Sequence, residues 1–139
     1  MDRTPVQNVA RLVGIVFLLV GIAGFIPGIT TNLYDGLEFA GEDGNAKLLG
    51  LFEISILHNI VHGLFGVAGL ALAATVSGAR NFLIGGGAIY LLLVVVQAIG
   101  AGDWVPLVGP DVWLHLVLGV GMIGLGVALT RERTVPTTT

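Results

Sequence analysis

Three histidines carry most of the chemistry in this sequence, and all three lie in long stretches that have no acidic or basic residue. His58 and His62 are four residues apart, so on a helix they share one face. Asp111 and His115 have the same spacing, which would let the carboxylate support the imidazole one turn away. Imidazoles and carboxylates are the ligands of transition metals, and the four residues together predict a site for Zn²⁺, Cu²⁺ or ferrous iron.

A b-type haem is a second cofactor that these residues could hold. Axial ligation needs imidazoles on opposite faces of the macrocycle, and His58 and His62 share one helix face. His115 would therefore have to lie opposite one of them.

Further polar residues are expected near the same depth, because the second and fourth predicted helices run in the same direction and the third rises to meet them. Glu53 lies about 180° around an ideal helix from His62 and reaches the same site only if the helix is kinked or begins after Glu53. The supporting set is Glu53, Asn59, Tyr90 and Gln97.

Each of these residues also has a purely structural interpretation. His62 or His115 could hydrogen-bond across helices and tie a bundle together, as could Asn59 and Gln97. Asp111 follows Pro110 and could stabilise a helix N-terminus. Proton relay through the imidazoles is a further alternative.

The surrounding sequence is that of a membrane protein: 55% of its 139 residues are hydrophobic, 11% are charged, and the mean hydropathy is +0.95. Unbroken apolar runs favour helices over a β-barrel, since lipid leaves backbone groups no other partners. We predict an all-α integral membrane four-helix bundle, formed as one domain over residues 1–139. Its spans are placed near Leu12–Ile29, Ile54–Ala74, Phe82–Ala101 and Val112–Thr130.

The basic residues predict the orientation. Lys47 alone falls on one side of a four-span arrangement. The opposite side, with both termini, is therefore expected to face the cytoplasm, and the protein is expected in the cell membrane. That side carries Arg3, Arg11, Arg80, Arg131 and Arg133.

Twenty-two glycines are too many for turns alone, and many lie within the predicted helices. Small residues let helices approach closely, within one chain or between chains of a homo-oligomer. Aligning His62 with His115 also aligns Gly66 with Gly119 and gives a shared His-x-x-x-Gly-Val pattern. Either the chain consists of two related helical hairpins, or the likeness between these two glycine-rich helices is due to chance.

Several function classes are not supported. The chain has no cysteine, so disulfides and thiolate sites are excluded. A net charge of −3 does not favour a nucleic-acid partner. Hydrolase and phosphate-binding motifs are absent from the sequence, which favours a non-enzymatic role.

The sequence resembles a bacterial family of small four-span membrane proteins, common in actinobacteria and catalogued as domain of unknown function 4383. The resemblance rests on the stretches 50–63 (GLFEISILHNIVHG), 111–116 (DVWLHL) and 8–14 (NVARLVG), and on Gly24-Phe25. It implies the four-span architecture and supplies no activity. Val112 stands where the family has a polar residue, so a role for that position is not carried over. The resemblance directs attention to His58, Asn59, His62, Asp111 and His115.

Two hypotheses follow. In the first, the histidine and carboxylate cluster binds a transition metal ion or haem in the outer half of the bundle. In the second, the protein is a non-catalytic accessory or scaffold subunit of a membrane complex, and the cluster serves only to hold the helices together by hydrogen bonds.

Overall fold

A computed structural model describes residues 2–41, 45–101 and 109–131, without the side chains of Tyr34, Asp35 and Glu53. Within these residues it confirms the predicted helical bundle, built from four long helices and very little strand. Arg133 lies outside the described residues. In chain order the elements are α1 Pro5–Ala23, β1 Thr30–Thr31, α2 Leu33–Gly36, β2 Lys47–Leu48, β3 Phe52–Glu53, α3 Ile56–Leu72, α4 Val76–Ala98 and α5 Pro110–Arg131.

Three helices, α1, α4 and α5, are long and apolar enough to cross a membrane. Helix α3 is also apolar but has 17 residues, which at about 1.5 Å per residue gives roughly 25 Å. Large hydrophobic side chains cover the outside of every long helix; Leu12, Leu64, Leu92 and Val117 are each at least 60% exposed. Such a surface is expected where the surroundings are hydrocarbon.

Helix α1 begins and ends earlier than its predicted span. Thr4 and Gln7 form a capping box around Pro5, the first helical residue, and this arrangement satisfies the free amides of the first turn. The helix ends at Ala23, before the predicted end at Ile29. The Thr30 hydroxyl then donates to the Ala23 carbonyl at 3.0 Å, which holds the chain as it turns back.

A small antiparallel sheet, which the sequence did not predict, fills the connection between α1 and α3. Its strands pair in the order β1-β2-β3, with Thr30 opposite Leu48 and Lys47 opposite Glu53. The sheet ends just before α3, whose N-cap is Ser55. Helix α3 therefore begins after Glu53, which is one of the conditions for Glu53 and His62 to face the same site. The Glu53 side chain itself lies outside the described part of the structure.

The long helices pack as two hairpins. Helix α1 packs mainly against α3 and α4 mainly against α5, while α3 and α4 share few contacts despite their short connection. Glycines make both interfaces: a Cβ on Gly66 would lie 2.5 Å from the Leu18 nitrogen, and one on Gly119 would lie 2.8 Å from Leu91 Cδ2. Helices that approach this closely gain dispersion contacts that lipid alone does not provide.

The two hairpins resemble each other in detail, which supports the internal repeat. Gly66 faces the Gly14 carbonyl and Gly119 faces the Gly87 carbonyl. Each of these two partner glycines opens the same pattern, Gly-x-x-aromatic-Leu, at 14–18 and at 87–91. Residues on α3 and α5 that the sequence pattern aligned therefore occupy matching places in the two hairpins.

The glycine contacts predict a contrast between two substitutions on the bundle. Gly66→Ala should lower the free energy of unfolding by about 1–3 kcal/mol, because its Cβ would meet the backbone of α1. Gly121→Ala is the matched control, since its Cβ meets nothing within 4 Å, and it should be neutral or stabilising by up to about 1 kcal/mol. Denaturation in mixed micelles measures both, and equal effects would contradict the packing described.

Candidate metal centre

The bundle brings His58, His62 and His115 together at the end that carries the small sheet. Each ring offers one ligand atom, and these three atoms lie within 4.8 Å of one another. The His58 and His62 rings stack with centroids 4.0 Å apart, as the four-residue spacing on α3 requires. His115 approaches from α5, with its ring centroid 6.3 Å from that of His62 and almost perpendicular to it.

Main-chain carbonyls orient two of the rings in the same way. His62 Nδ1 donates to the carbonyl of His58 at 3.0 Å, and His115 Nδ1 donates to the carbonyl of Asp111 at 2.7 Å. A carbonyl oxygen only accepts, so the proton lies on Nδ1 and a neutral ring keeps its lone pair on Nε2. The sequence predicted that Asp111 supports His115 through its carboxylate; the bond to Nδ1 described here comes from the main-chain oxygen of Asp111.

The third ring is oriented by a buried amide. His58 Nδ1 donates to Asn59 Oδ1 at 3.3 Å, and Asn59 is only 1% exposed. The Asn59 amide lies against Gly24, where an added Cβ would overlap all three amide heavy atoms. The missing side chain at position 24 therefore makes the space for the group that orients His58.

Two aromatic residues complete the surroundings of the imidazoles. The Tyr90 hydroxyl donates to His62 Nε2 at 3.1 Å, and its ring lies 4.8 Å from that of His115. Phe17 packs edge-on to His62 at 5.6 Å and also contacts Tyr90 at 5.5 Å. Phe17 was not among the predicted site residues; its match to Tyr90 in the Gly-x-x-aromatic-Leu pattern is the sequence signal that marks it.

A cavity of about 90 Å³ adjoins the cluster. Its wall contains the three imidazoles, Tyr90 and Ser55, and is otherwise apolar side chains of α3 and α4. This volume gives room for several water-sized groups beside the imidazoles. A single ion with small ligands is of a size that the space accommodates.

The remaining predicted site residues lie around this centre. Asp111 is buried one turn from His115, and Gln97 lies in the last turn of α4. Among the described residues, the cavity wall does not include Asp111, Asn59 or Gln97. The side chain of Glu53, the fourth supporting residue, is not described.

The fold and the site define a class of protein: an apolar helical bundle, with helices suited to a membrane, that holds three converging imidazoles, one buried and two partly buried. The chain belongs to the family described as Domain of unknown function (DUF4383), whose family model matches residues 7–128. This confirms the resemblance found in the sequence. Comparisons with curated proteins and with solved structures find no match.

The hydrogen bonds predict the tautomer of each histidine. Nitrogen-15 NMR of the metal-free protein should show protonated Nδ1 and unprotonated Nε2 in all three rings, because each Nδ1 faces an oxygen acceptor. Gly24→Ala should displace the Asn59 amide and change the His58 resonances, while those of His115 on α5 stay in place. Protonated Nε2 in His62 or His115 would contradict the assignment.

Proposed function

We propose that this protein is a multi-pass membrane protein that binds one transition metal ion through Nε2 of His58, His62 and His115. The observation that supports this most directly is the convergence of the three ligand atoms within 4.8 Å. The direction of the Nδ1 hydrogen bonds adds to it, because it leaves Nε2 of each ring unprotonated and able to coordinate.

The ligand set fits borderline metals such as Zn²⁺, Cu²⁺ and ferrous iron. Tetrahedral coordination with Zn–N bonds of about 2.0–2.1 Å puts ligand nitrogens roughly 3.4 Å apart. The spacing of up to 4.8 Å must therefore contract on binding. Tyr90 must also release His62 Nε2, and its hydroxyl is then available to a ligand on the metal.

The supporting residues act in an outer shell. The Asp111 carbonyl and the Asn59 amide hold two imidazoles in the coordinating tautomer, which raises ligand basicity and fixes ring orientation. Three protein ligands leave a fourth position for water or an external ligand, as in sites where a metal interacts with small molecules. The cavity lies where that position would be.

The topology we propose places the site in the outer half of a cell membrane. Arg3, Arg11, Arg80 and Arg131 lie near the start of α1, the start of α4 and the end of α5, which the hairpin arrangement puts at one end of the bundle. Lys47 lies in the sheet at the other end. The excess of arginine favours the first end, with both termini, as cytoplasmic.

An accessory or scaffold subunit, alone or as a homo-oligomer, is the second candidate function. It is favoured by the Tyr90–His62 hydrogen bond, which occupies one coordinating nitrogen and ties α4 to α3. In this function the polar layer holds the two hairpins together and binds no ion.

Metal analysis of single-histidine variants separates the two functions. The protein in detergent should bind one Co²⁺ or Zn²⁺ per chain, with visible d–d bands for Co²⁺, and His115→Ala should weaken that binding at least tenfold because it removes one of three ligands. Equilibrium dialysis with elemental analysis gives the stoichiometry. Chains that bind neither Co²⁺, Zn²⁺, Cu²⁺ nor Fe²⁺ would overturn the metal proposal.

Gln7→Ala is the control for a loss of interhelical hydrogen bonds. Gln7 Nε2 donates to the Ala73 and Ala74 carbonyls at 3.1 and 2.9 Å, at the opposite end of the bundle from the histidines. This variant should lower thermal stability and leave the metal stoichiometry unchanged. If His115→Ala behaves in the same way, with equal loss of stability and no effect on metal, the scaffold function is the better account.

A further inference from the structure

The cavity beside the histidines lies in the seam between α3 and α4, two helices that pack only loosely against each other. Leu57 and Val61 form its wall on α3, and Ile89 and Leu93 form it on α4. Closer to the middle of the bundle the seam closes, since Phe65 packs at Gly86, where an added Cβ would lie 3.1 Å from its ring. The opening is thus confined to the level of the imidazoles.

Two wall residues also form part of the outer surface. Val61 is 42% exposed and Ile89 is 46% exposed, and both are surrounded on their helices by other exposed apolar side chains such as Leu64 and Leu92. In a bilayer this surface faces acyl chains. The shortest path from the surroundings to the cavity therefore starts in hydrocarbon.

The size and polarity of the cavity restrict what can use this path. About 90 Å³ is smaller than an apolar cavity of about 150 Å³ that binds benzene or xenon. A charged or strongly hydrated species would have to give up its water to pass Val61 and Ile89, which costs several kcal/mol. Small uncharged molecules that dissolve in lipid are small enough for the cavity and have no tightly bound water to lose.

We propose that the seam between α3 and α4 admits small uncharged molecules, of the size and polarity of dissolved diatomic gases, from the hydrocarbon to the histidine cluster. The hydroxyl of Tyr90 and the fourth position of the metal are the groups that such a molecule meets. The inference of a ligand class for the metal rests on the proposed function; the inference of a lateral path and cavity does not.

Xenon tests the path in metal-free protein reconstituted in lipid nanodiscs. Saturable xenon-dependent methyl shifts should appear at Val61, Ile89 and Leu93, because these side chains line the cavity. Ile89→Trp fills the mouth and should weaken xenon binding at least tenfold. Leu92→Trp is the matched control: it is 60% exposed on the same helix, is not a wall residue, and should change binding less than twofold.

Val61→Trp blocks the mouth from the α3 side and replaces Ile89→Trp if that variant does not fold. Absence of saturable shifts in folded wild-type protein, as when an acyl chain fills the cavity, would overturn the inference. So would equal effects of the Ile89 and Leu92 substitutions.

Carbon monoxide tests the ligand class in the cuprous protein. An infrared band of bound carbon monoxide is expected, and Ile89→Trp should slow its formation at least tenfold without changing the copper stoichiometry. If the protein binds xenon but no copper, the proposed metal-binding function is wrong and the lateral path stands. If it binds copper but neither xenon nor carbon monoxide, the lateral path is wrong and the metal site stands.

Discussion

The close approach of helices at glycine is the constraint on which the rest of this structure depends. Between apolar helices in lipid there is no hydrophobic driving force, so association depends on packing at short range. Gly21 meets the Asn59 carbonyl and the Gly63 backbone at distances that no side chain would allow. The same contact sets the height of α3 against α1, and with it the height of two of the three histidines.

The position of the imidazoles follows from this packing together with ordinary helix geometry. A four-residue spacing stacks His58 on His62 and gives each of His62 and His115 the carbonyl one turn back as a partner. No additional loop or strained backbone is needed to aim these rings. What the bundle adds is the burial of Asn59 over Gly24, which fixes the last ring.

Sequence patterns predicted the bundle and the histidine cluster because both depend on local rules, namely uncharged runs and helical spacing. They did not predict the sheet, whose two-residue strands are too short to show an alternation. The carbonyl partner of His115 was not predicted, because every residue in a helix has a main-chain carbonyl one turn back and the residue type carries no sign of its use. Phe17 was missed because a phenylalanine in an apolar helix has no distinguishing local signal; the pattern that it shares with Tyr90 lies on a distant helix, and the contacts with His62 and Tyr90 give that pattern its meaning.

The centre draws its imidazoles from both hairpins and therefore belongs to neither half alone. One hairpin supplies His58 and His62, and the other supplies His115 with Asp111 in the place of the first histidine. A single hairpin does not supply all three imidazoles, so the centre exists only while the two hairpins are packed together. The two halves also contribute unequally: Tyr90 brings a hydroxyl to the centre from one hairpin, and Phe17 brings a plain ring from the other.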